Sequence, residues 1–105
     1  MALTIEESKS NDETVVVVQG EVDLYTSPKL RSAVLKAVPA AAGGVAVDLS
    51  GVGYIDSSGV ATLVEGLRSA QKHGKTFILV GPSPAVLQVL ELTRLDQVFE
   101  VRTMS

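Results

Sequence analysis

Three short apolar runs recur along the chain: "TVVVV" (14–18), "VAVDL" (45–49) and "TFILV" (76–80). Each is separated from the next by a segment whose apolar residues fall at helical spacing. Continuous runs rich in β-branched residues fit strands buried on both faces, and helices are what cover such a sheet. A strand, helix, strand order requires crossover connections, which are right-handed and leave the strands parallel.

The remaining segments fill in this frame. "ALTIEE" (2–7) alternates Leu3 and Ile5 with polar neighbours, as a half-exposed strand does, and the polar turn "SKSNDE" (8–13) joins it to "TVVVVQG" in an antiparallel hairpin. "TSPKLRSAVLKAV" (26–38) is predicted to be a helix, with Thr26 or Ser27 as its cap and Pro28 in its first turn. Its apolar stripe is Leu30, Ala33, Val34, Ala37 and Val38, and Pro39 with Gly43 and Gly44 should end it. "SGVATLVEGLRSAQKH" (58–73) repeats the pattern through Val60, Leu63, Val64, Leu67 and Ala70, with Gly74 as the stop. "SPAVLQVLEL" (83–92) is a third helix with Val86, Val89 and Leu90 inward, and "QVFEV" (97–101) a short last strand. The fold class is α/β: a hairpin, then alternating β-α units in a mixed, mostly parallel sheet.

The 105 residues suit one domain spanning 1–105, and 46% apolar content suits a packed core. Net charge is -3 and the nine basic residues are scattered along the chain, which argues against nucleic acid. No cysteine is present, so disulfides and thiolate metal sites are excluded. The N-terminal "MALTIEESKS" lacks the regions of a signal peptide, and no apolar run approaches the ~20 residues of a membrane span. The expectation is a cytoplasmic chain without membrane insertion.

The stretch that invites a functional reading is "GVGYIDSSGVATL" (51–63), a glycine-rich segment expected to be a loop, with one aspartate and two adjacent serines at a helix start. A serine nucleophile needs a base within hydrogen-bond reach. The one histidine, His73, falls at the far end of the helix that the serines begin, about four turns of 5.4 Å away. "GKT" (74–76) is part of a P-loop pattern, but Ser69 stands where that loop needs glycine and the strand and helix come in the wrong order. Asp23, Asp48 and Asp56 lack histidine or cysteine companions for a metal site. A receiver domain would need an acidic pair after an early strand and a lysine after a late one, and neither occurs. What remains is a helix N-terminus: Asp56 or Ser57 as cap, and Gly59 for close packing of the first turn. Such an end offers free amides and a positive dipole, and also accommodates a phosphate on serine.

Two segments together resemble the STAS domains, the bacterial anti-sigma factor antagonists. "GEVDLYTSPKL" (20–30) looks like their characteristic loop and helix start, and "VDLSGVGYIDSSGVATL" (47–63) like their signature strand, loop and helix. "GVATL" follows the serines where a Gly-Leu start is more usual, and Val60 keeps the apolar character. The resemblance implies a curved sheet with stacked helices and no catalytic residue, cofactor or metal. It implies a partner, an anti-sigma factor with serine kinase activity, whose capture frees the sigma factor. It implies phosphorylation of the serine after the aspartate, Ser57, with Ser58 the weaker candidate, and a serine phosphatase that reverses it. The partner surface would hold Asp23, Tyr25, Thr26, Asp56, Ser57, Ser58 and Gly59. The alternative within the family is a non-phosphorylated adaptor or scaffold subunit of a transporter or signalling complex.

Overall fold

The computed structural model describes residues 2–103, so the outermost residues of the expected 1–105 span lie outside it. β1 (Leu3–Ser10) and β2 (Glu13–Val22) form the hairpin, and α1 (Ser27–Ala40) leads to β3 (Gly44–Ile55). α2 (Ser57–His73) leads to β4 (Thr76–Val80). α3 (Pro84–Leu92) and a 3-10 turn at Leu95–Gln97 lead to β5 (Glu100–Arg102). The sheet runs β1-β2-β3-β4-β5, with β1 antiparallel to β2 and each later pair parallel.

Every crossover steps to the next strand in the same direction. With right-handed connections, that places all three helices on one face of the sheet. Burial agrees: Val16, Val18, Val45, Val47, Leu49, Phe77 and Leu79 form one core with Leu30, Val34, Leu63, Val86 and Leu90. Val15 and Val17, of opposite parity on β2, are only half-buried, which corrects the expectation of a strand buried on both faces. A continuous valine run fits a one-sided sheet as well as a two-sided one, because β propensity rewards both. The helix-free face is crossed by a bidentate pair: Arg102 donates to both carboxylate oxygens of Glu13, at 3.0 and 3.1 Å. The pair ties β5 to β2 across the two strands between them, where Ala46 and Ile78 are buried.

Several boundaries differ from expectation. The polar turn expected at 8–13 shrinks to Asn11 and Asp12, because β1 runs to Ser10 and β2 starts at Glu13. β3 does not end at Leu49 but continues through "SGVGYI" to Ile55, so most of the expected glycine loop is strand. Register shifts against β2 at Val17/Gln19 and Gly20/Glu21 absorb the irregularity, and glycine in a strand commonly marks such bulges. α1 runs one residue past Pro39, because a proline this near the helix end breaks little that fraying would not. Gln97 closes the 3-10 turn, and the last strand starts at Glu100.

α2 follows its sequence signals. Val60, Leu63 and Ala70 are buried, Val64 and Leu67 pack against the core, and Gly74 ends the helix at φ 68°. Leu63 is fully buried. Leu63→Ala should therefore cost about 2–5 kcal/mol in chemical denaturation, the range for a buried leucine truncated to a cavity. A loss below about 0.5 kcal/mol, the surface scale, would contradict this packing.

Candidate functional site

Parallel pairing of β2 and β3 brings their C-terminal ends to one edge, where Val22 faces Ile55. Two segments leave the sheet there: the turn Asp23–Thr26 before α1, and Asp56 before α2. The Asp56 amide donates to the Val22 carbonyl at 3.1 Å, fastening one to the other.

The Asp23 carboxylate is spent inside its own turn. Its Oδ1 accepts from the amides of Tyr25 at 2.9 Å and Thr26 at 3.0 Å. The Thr26 hydroxyl donates to the Glu21 carbonyl at 2.8 Å and accepts from the Asp23 amide at 2.9 Å. Thr26 stands at the N-cap position of α1 without a side-chain capping bond, because that oxygen closes the turn instead. Ser27, the other candidate cap, is buried in the first turn. This closed turn pushes Leu24 and Tyr25 outward, 67% and 88% exposed.

Asp56 is the N-cap of α2. Its Oδ1 accepts from the amides of Ser58 at 3.0 Å and Gly59 at 3.3 Å, and from the Ser58 hydroxyl at 2.5 Å. The Val60 amide goes to the Asp56 carbonyl at 3.0 Å. The carboxyl is held below its ordinary value, first by the Ser58 hydroxyl. Burial pushes it the other way, and the amides of Gly59, Ser58 and Leu24 add to the lowering. The expectation of open amides at this helix end is met only in part: the cap takes those of Ser58 and Gly59, and the Ser57 amide forms no hydrogen bond among the described residues.

The adjacent serines are unequal. Ser58 is half-buried and its hydroxyl is committed to Asp56. Ser57 is exposed, and its hydroxyl forms no hydrogen bond among the described residues. Gly59 is buried against the sheet: a Cβ there would sit 2.6 Å from Val22 Cγ1 and 2.7 Å from Ile55 Cγ1. The missing side chain is what lets α2 begin this close to both strands.

The edge thus brings together Asp23, Tyr25, Thr26, Asp56, Ser57, Ser58 and Gly59. It adds two residues the sequence reading passed over, Leu24 and the 48% exposed Tyr54 on β3. Tyr54 carried little sequence signal, because burial in this part of β3 recurs at every third residue (Leu49, Val52, Ile55) rather than alternating. Asp48 lies apart, accepting from the Ser50 amide and hydroxyl at 2.9 and 2.7 Å. His73 is exposed at the opposite end of α2, on the Ser69 carbonyl. No cluster of metal-ligating side chains occurs among the described residues, and no helix there is long and apolar enough to cross a membrane.

Residues 5–103 match the family model described as "Mlab, STAS domain". The chain is similar to the anti-sigma-B factor antagonist of Listeria monocytogenes, 30% identical over 99% of this chain and 92% of that protein. It is 26% identical to the one of Bacillus subtilis, over 100% of this chain and 95% of the relative. Among solved structures, an anti-sigma factor antagonist from Mycobacterium paratuberculosis superposes with a TM-score of 0.87 at 29% identity, over 96% of this chain and 86% of the other.

The cap makes a pH-dependent prediction. A carboxyl lowered in the folded state adds stability above the unfolded value, 3.8, and that stability is lost as pH falls through the lower folded value. Asp56→Asn should be less stable than the parent at neutral pH, with the deficit shrinking below about pH 3.8. Asp56→Ala should lose a further 0.5–2 kcal/mol or so, as capped helices do. Thermal melts across pH check both, and a deficit of Asp56→Asn that stays constant down to about pH 2.5 would contradict the lowered carboxyl.

Proposed function

The chain belongs to the STAS domain family, and from that premise we infer that it is an anti-sigma factor antagonist. In this reading it captures an anti-sigma factor that is also a serine kinase and so releases a sigma factor in the cytoplasm. The kinase phosphorylates Ser57 to end the capture, and a serine phosphatase restores the competent form. The chain itself performs no chemistry; it is a binding surface and a substrate.

The observation that carries this reading is the unequal state of the two serines. A kinase needs a hydroxyl that can leave the surface and enter its active site. Ser57 is exposed and uncommitted, whereas Ser58 would first have to give up its bond to Asp56. The exposed side chains of Leu24, Tyr25 and Tyr54 supply the apolar and aromatic area that protein interfaces favour.

The switch follows from charge. A phosphate adds about -1.5 to -2 charges near neutral pH. On Ser57 it stands beside the ionised Asp56, whose cap already uses the amides of Ser58 and Gly59. The phosphate therefore projects outward and leaves the cap in place. About 3 kcal/mol of repulsion and steric exclusion weakens binding more than a hundredfold.

With the cognate kinase and ATP, mass mapping should find one phosphate, on Ser57. Ser57→Ala should take none and bind the anti-sigma factor constitutively, Ser58→Ala should still be labelled, and Ser57→Asp should fold but bind poorly. Equal labelling of Ser57→Ala and the parent would overturn the assignment. Tight binding without any phosphate transfer would favour the adaptor role over the switch.

A further inference from the structure

The basic residues are scattered in sequence, but the fold gathers them. Lys29, Arg31, Lys36, Arg68 and Lys72, five of the nine, lie on α1 and α2, and all are exposed. Of the twelve acidic residues only Glu65 lies on either helix. The rest of the chain holds four basic residues against eleven acidic ones. A chain of net charge -3 thus concentrates basic residues on these two helices, although Lys29 is turned to β1, where its ammonium donates to the Leu3 carbonyl at 2.6 Å.

α1 and α2 each run back from a β2 or β3 end to the start of the next parallel strand, so they lie side by side in the same direction. Between them is a groove of about 680 Å³. Pro28, Leu35 and Ala61 supply its apolar lining, Arg31, Lys36 and Glu65 its charged groups, and Ser58 is among its polar lining residues. Arg31 is held by Glu65 at 2.8 Å across the groove. Arg68 and Lys72 continue the row of Ala61 and Glu65 at helical spacing. Lys36, Arg68 and Lys72 form no salt bridge among the described residues.

We propose that the α1–α2 groove docks an acidic, partly apolar segment of the protein partner. The proposal rests on the reading that this chain captures a protein at its Ser57 edge, and it extends that surface down the two helices. A concave, apolar-lined groove suits side chains. An extended polyanion, whether nucleic acid or an anionic bilayer, would meet the eleven acidic residues elsewhere on so small a molecule. The groove opens beside the switch. A phosphate on Ser57, next to the groove residue Ser58, would repel the partner's acidic segment, which joins the modification to release.

Complementing the helix dipole explains part of the basic content, since Lys72 lies in the last turn of α2. Binding and stability measurements separate the two roles. The intact, isotope-labelled chain is titrated at low salt with a helical peptide bearing glutamate on one face and leucine on the other. Amide shifts should map to Leu35, Lys36, Ala61 and Arg68. The triple variant Lys36→Glu, Arg68→Glu, Lys72→Glu should weaken binding about tenfold or more. Glu65→Lys, which frees Arg31, should strengthen it, a gain that a purely structural role would not give. Lys9→Glu, on β1, should change nothing. Unchanged affinity in the triple variant, no gain from Glu65→Lys, or shifts elsewhere would overturn the proposal. So would groove binding by phosphatidylglycerol vesicles or duplex DNA but not by the peptide. No kinase takes part, so failure here leaves the Ser57 assignment standing, and failure of that assignment leaves this result readable.

Discussion

The parallel pairing of β2 with β3 is the constraint on which the rest of the molecule depends. It carries Val22 and Ile55 to the same edge of the sheet, and from there the chain leaves twice, once toward each helix. The turn before α1 and the cap of α2 are neighbours because their strands are neighbours. Asp56 then locks the junction: its amide reaches the Val22 carbonyl, and its carboxylate caps its own helix. Gly59 completes the close approach, since any side chain there would strike Val22 and Ile55.

The same junction makes two identical residues chemically different. Asp56 binds the second serine, so the first is left at the surface with its hydroxyl uncommitted. The cap protects the fold from whatever happens at Ser57, because the amides holding the helix start are occupied by the aspartate rather than by that serine. A switch built this way changes the surface while the fold stays fixed. The helices extend the same separation of roles: their inner faces hold the core, and their outer faces carry the cationic groove.

Much of this was legible in the sequence, for identifiable reasons. Hydrophobic periodicity gave the element order, and Gly74 and Ser83 marked helix ends because their backbone and capping roles are local. The Asp-Ser-Ser stretch read as a helix start for the same reason. What stayed hidden was decided across strands. The "SGVGYI" extension of β3 looked like a loop, because only pairing with β2 makes a strand of glycine-bearing chain. Thr26 looked like a cap, yet the Glu21 carbonyl and Asp23 amide claim its hydroxyl. The grouping of basic residues on α1 and α2, and the Arg102–Glu13 pair that joins β5 to β2, depend on tertiary placement that no local pattern records.

If Ser57 is the switch, Asp56 divides the serines into one that carries the signal and one that holds the fold. The direct measurement is to place phosphoserine genetically at position 57 or at position 58, then record thermal stability and anti-sigma factor affinity for each. Phosphoserine at 57 should leave the melting temperature nearly unchanged while binding falls about a hundredfold or more. At 58 it should lower the melting temperature, because the cap loses its hydroxyl donor and gains a like charge. Equal destabilisation by the two, or undiminished binding with phosphoserine at 57, would contradict it.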